Sequence, residues 1–195
     1  MKFKEISPKL LLNFEEYTDT WVKLVKEYYQ RGVSNDDIYL ALQLHEEGAM
    51  RFSMELGSVL LVIAMRAWGT KRFQKDETRK LVEDTVVEKT YREIFAENEE
   101  TLSACKDFYA ARFQLFSQLA PNNAKNEKQI RTNLIGFARY VVSQCSERAE
   151  EENAAIIEHL SVLLIAAAGS FKRLTDNSTI DPNTVFGKPK FIVQK

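Results

Sequence analysis

Apolar side chains recur every three to four positions from Leu10 to Phe171, the spacing of helices that bury one face. The first run carries Leu10, Phe14, Tyr17, Trp21, Leu24, Val25 and Tyr28, with Glu15, Glu16, Asp19, Lys23 and Lys26 away from its centre. Ser7 as N-cap and Pro8 at the first helical position predict its start. Gly32, suited to a left-handed C′ position, predicts its end after Arg31. Ser34 and Asp37 form a variant capping box that opens a second run continuing to Trp68 before Gly69. Its core face holds Ile38, Leu42, His45, Phe52, Leu56, Val59 and Ile63. Beyond Gly57 the opposite side turns apolar too, with Leu61, Val62 and Met65, which predicts a central helix enclosed nearly all round.

Asp76 is the expected cap of a third helix over Glu77–Glu97, whose thin stripe of Leu81, Val82, Thr85, Val86, Ile94 and Phe95 describes an outer helix. A fourth, Glu99–Leu119, carries Leu102, Cys105, Phe108, Tyr109, Phe113 and Phe116 and stops before Pro121-Asn122-Asn123. From Glu127 the pattern runs to Leu174, with a break or bend expected between Arg148 and Asn153. The remaining residues are rich in turn formers, and Phe186, Phe191, Ile192 and Val193 could anchor them to the bundle or pair them as a short strand with Lys2–Ile6. The reading is an all-α, single-domain bundle of five or six helices with an irregular C-terminal tail. Residues 1–174 form the bundle, residues 175–195 an extended or disordered tail, and Ser34–Trp68 and Asn153–Leu174 the central pair.

Composition narrows this further. A chain of 195 residues suits one core, and 7 glycines and 4 prolines are too few for a protein built from many turns. Lys plus Arg number 27 against 28 Asp plus Glu, so no long-range field draws in nucleic acid and none is expected as partner. Cys105 and Cys145 match no zinc or redox spacing and read as core residues. The apolar stretches Val59–Ala64 and Ile156–Phe171 fall short of the roughly 20 residues of a membrane span, being bracketed by Glu55 and Arg66 or interrupted by Glu158 and His159. No secretory leader is evident, so the expected location is cytoplasmic. Glu55–Ala64 and Glu158–Ala167 share Glu, Ser, Val, Leu, Leu and Ala in register, which fits two buried helices drawing on the same apolar alphabet or, as the alternative, a duplication that would make them symmetry-related central helices.

The candidate chemistry is sparse. The two histidines lie beside acids on the most apolar helices, in His45-Glu46-Glu47 and Glu158-His159. His45, Glu46, Glu158 and His159 would make a metal or acid–base site if the fold gathered them. Against this, the Glu-x-x-His spacing of di-iron bundles is absent, and neighbours on a helix point about 100° apart. A hydrogen-bonded histidine and a Glu47–Arg51 helix pair account for the same residues. Acids three apart, as in Glu16/Asp19, Glu97/Glu100 and Glu147/Glu150, could hold magnesium, but about four such pairs arise by chance in this composition. The basic group Arg66, Lys71, Arg72, Lys75, Arg79 and Lys80 contains acids and reads as a helix junction. No nucleophile elbow, phosphate loop or cofactor motif occurs, and no cofactor is expected. The expected function is a non-enzymatic interaction or regulatory module, with a protein partner or a second copy making a homodimer. A metal- or acid-assisted enzyme of the hydrolase type is the alternative.

Overall fold

The computed structural model describes residues 10–35, 38, 40, 42–44, 46–69, 76–96, 98–120, 126–146, 148 and 150–185. Ser7 and Pro8, Asp37, the 70–75 link, Pro121 to Asn123, and the proposed pairing of Lys2–Ile6 with Phe186–Val193 lie outside them. Helix α1 spans Phe14–Val33 and begins later than Ser7 and Pro8 predict, because Asn13 caps it. The Asn13 side chain accepts from Glu16 N at 2.9 Å, and Asn13 N donates to the Glu16 carboxylate at 3.1 Å. Leu10–Leu12 instead form a short strand, β1, parallel to β2, Ser178–Ile180, in the register Leu10↔Ser178. Phe14 N, one of the orphan donors of the α1 start, donates to Thr184 Oγ1 at 2.9 Å.

Gly32 is not a C′ residue. It is buried inside α1, and a Cβ there would lie 2.4 Å from a Leu56 methyl and 3.1 Å from one of Leu163, so its role is close approach between helices. The predicted continuous second helix also breaks: Gln43 has φ 52°, and the helix proper, α2, spans Glu46–Gly69. Ile38 and Leu42, before the break, are buried as expected.

The remaining helices are α3 (Asp76–Ile94), α4 (Glu99–Leu119), α5 (Glu127–Cys145), α6 (Ala154–Asn177) and the single turn α7 (Pro182–Val185). Asn98 and Asn126 cap α4 and α5, each accepting a backbone N–H at 2.9 Å. The expected break falls between Cys145 and Ala154, where the Asn153 amide donates to Ser146 Oγ and Arg148 O. Thr175, Asp176 and Asn177 prolong α6 past Leu174, and Ile180 and Val185 are buried.

The arrangement is five helices around one. Helix α2 packs against α1, α3, α4, α5 and α6, and these close a ring in the order α1, α3, α4, α5, α6, back to α1. A helix enclosed on every side must be apolar on every side, and Glu55 through Met65 are all buried. Asn153–Leu174 is therefore not half of a central pair: α6 belongs to the ring and turns one face outward. The aromatic stripes point inward, with Tyr17, Trp21, Tyr91, Tyr109 and Phe116 buried.

Candidate functional site

Of the four residues singled out by sequence, His45 lies outside the described residues. Glu46 stands exposed in the first turn of α2, and Glu158 and His159 are exposed on α6. The Asn35 side-chain amide nitrogen lies 3.2 Å from His159 Nε2, tying the end of α1 to α6. Arg51 donates to Gln144 at 3.2 Å instead of pairing with Glu47. No group of three or more His, Cys, Asp or Glu among the described residues could hold a metal ion. Of the basic group, Lys71, Arg72 and Lys75 lie outside the described residues. Arg66 turns inward, donating to Ala120 O at 2.8 Å and Ser117 Oγ at 3.3 Å and lying over the Phe137 ring. It thereby serves the carbonyl end of α4, and burial lowers its pKa from the ordinary arginine value.

The interior holds a polar group that sequence reading missed. Glu55, fully buried on α2, receives two hydrogen bonds from Arg112 of α4: Nε to Oε2 at 2.7 Å and Nη2 to Oε1 at 2.5 Å. The guanidinium also lies 4.4 Å from the Phe108 ring centre and 5.7 Å from that of Tyr140. Its hydrogen bonds to Glu55 raise the Arg112 pKa. Nearby, Ser58 Oγ and the Tyr91 hydroxyl are 2.6 Å apart, and burial raises the Tyr91 pKa. Burial, then the Glu55 carboxylate, pushes the Cys145 thiol up to about 12. The carboxylate is matched by a bidentate cation, so the pair aligns α2 with α4 rather than offering a free base. The only local sign was an acid inside an apolar run; its partner stands 57 positions away.

A different feature faces solvent. Helices α2 and α6 are both long and apolar enough, by length and composition, to cross a membrane, although neither contains the uninterrupted apolar run of a span. In α2 the most apolar stretch is 67% buried, as befits a core helix, whereas in α6 the share is 39%. Along the outward side of α6, Ala155, Glu158, Val162, Ala166 and Arg173 are exposed, and Val162 keeps 63% of its surface in water. Beside this stripe runs a groove of about 480 Å³ between α5 and α6, with Ile135, Ile157, Val162 and Ile165 in its walls and Glu151 and Glu158 among its acids. Arg139 at its edge is paired with Glu150 at 2.9 Å. The matching segments in α2 and α6 thus have opposite surroundings, Glu55 buried and Glu158 exposed.

Comparison with protein-family models, curated proteins and solved structures gives no match. The surplus of apolar residues in Ile156–Phe171, which sequence reads as burial, is the one signal that pointed to this surface.

Proposed function

We propose that the protein is a non-enzymatic interaction module that presents the outward stripe of α6 and the adjoining α5–α6 groove to a protein partner. The observation that carries this reading is the mismatch on α6: an apolar helix whose most apolar stretch is only 39% buried. Monomeric proteins rarely leave contiguous apolar surface in water unless something covers it. Scattered exposed side chains would need no such account, but here Ile157, Val162 and Ile165 line one groove. Among the described residues the aromatic rings of α1 and α4 are buried or half-buried, and Leu119 at the end of α4 is exposed.

The test is a photo-crosslinking side chain at position 162 in the cells that make the protein, with position 15, exposed on α1, as control. A discrete adduct at 162 and none at 15 is expected. Absence of any adduct at 162 would retire the reading.

A further inference from the structure

The outward stripe of α6 is chemically complementary to its own reverse. It runs Glu158, Val162, Ile165 with Ala166, Gly169, Arg173: an acid, a large apolar residue, an apolar centre, a gap, a base. Its steps of three and four hold these residues on one side over about 22 Å of helix. The gap is open, since a Cβ on Gly169 would meet nothing within 4 Å. At the acid end, Glu158 has no ion-pair partner among the described residues, and Glu151 lies in the same groove. At the basic end, among the described residues, Arg173 hydrogen-bonds Ser170, and Lys172 adjoins it, paired with Asp176 at 2.6 Å.

Resting on the interaction reading above, we infer that the occupant of this face is a second copy of the chain, bound through α6 against α6 in antiparallel orientation. About a twofold axis passing between Ile165 and Ala166, Glu158 faces the other copy's Arg173, Val162 faces the other copy's Gly169, and Ile165 faces its Ala166. Each contact then occurs twice, as an isologous interface requires. The small residues let the two helices approach to the close end of the usual 8–10 Å range, and Val162 fills the space above Gly169. The other copy's Arg173 and Lys172 come to the acidic end of the groove. A parallel arrangement would set Glu158 beside Glu158 and Arg173 beside Arg173, so the charges select the antiparallel one. Five charged or titratable groups lie in or beside the stripe, namely Glu158, His159, Lys172, Arg173 and Asp176, and they suit a protein surface better than lipid tails.

One helix face is smaller than the roughly 1,200 Å² of a standard interface, so the dimer should be reversible, with a dissociation constant on the order of 10–100 μM. Sedimentation equilibrium of the full chain from 1 to 500 μM reads this directly. Glu158→Arg alone and Arg173→Glu alone should each weaken association at least about tenfold, and the double variant should restore it, because the swap recreates the pairs. Gly169→Leu should abolish it while leaving the helical circular dichroism unchanged. A chain that stays monomeric throughout, or a double variant no better than the singles, overturns the second-copy proposal. The cellular crosslink separates the two readings. An adduct of twice the chain mass supports both, an adduct of another mass keeps the interaction module and ends the second copy, and no adduct ends both. Flotation of the chain with anionic vesicles, lost in Val162→Glu, would likewise end the proposal by making lipid the occupant.

Discussion

Glu55 is the residue on which the interior has least latitude. A buried carboxylate without its cation is far more costly than the pair itself is stabilising, so the energetic content of Glu55–Arg112 lies in keeping it whole. Glu55→Gln should destabilise the protein by about 3 kcal/mol, near the low end for a broken buried pair, since Arg112 has some solvent access. Glu55→Leu combined with Arg112→Leu should recover most of that loss in urea titrations. Recovery failing in the double variant would mean that the pair is itself a net source of stability. Cys145 supplies a second residue-scale expectation. Its thiol is pushed up from 9.0 to about 12 in the folded chain, so folding favours the protonated form. That contribution is complete below about pH 9 and is lost as pH rises toward 12. Urea midpoints should therefore fall between pH 9 and 10.5, and Cys145→Ala should flatten the fall. At this scale the sequence was half legible. Cys105 is buried as the sequence reads it and Cys145 only half-buried, whereas Glu55 and Arg66 read only as brackets around an apolar run, because the groups that receive them lie on α4 and at its C-terminal end, distant in sequence.

Element boundaries were decided by partners more than by local signals. Ser7-Pro8 and Asn13 with Glu16 are both sound helix starts, and pairing of Leu10–Leu12 with Ser178–Ile180 sets the observed start of α1 after the strand. Glycine at position 32 shows the same lesson. Its sequence context suited a helix stop, yet the residue lies where α1 meets Leu56 of α2 and Leu163 of α6. A methyl group there must displace a leucine that is fully buried, so its chain cannot simply swing aside. Gly32→Ala should destabilise by about 1–3 kcal/mol, the usual cost of overpacking, even though alanine is the better helix former. A neutral or stabilising result in thermal unfolding would show that Leu56 has an alternative rotamer and that the helices need not approach so closely.

At the scale of the whole molecule, hydropathy marked α2 as central but wrongly set α6 beside it, and it did not tell which way α6 faces. A chain that is apolar on all sides has to be enclosed, and α2 is; an apolar helix in a ring can instead keep a stripe for a partner, which no periodicity separates from burial. The same ring dictates how the protein comes apart. Each of α1, α3, α4, α5 and α6 packs on α2, so loss of α2 removes a support from every helix of the ring. Trp21 is fully buried and stacks on Phe171 across the α1–α6 contact, with ring centres 5.8 Å apart, while the nearly fully buried Trp68 reports on the last turn of α2. Indole fluorescence and helical circular dichroism should consequently trace one coincident urea transition. Leu60→Ala, at the middle of α2, should cost about 2–5 kcal/mol and move both curves together. If ellipticity persisted after fluorescence had changed, some ring helices would hold together without the central one. The five-around-one packing would then be a set of separable pairs instead of one cooperative unit.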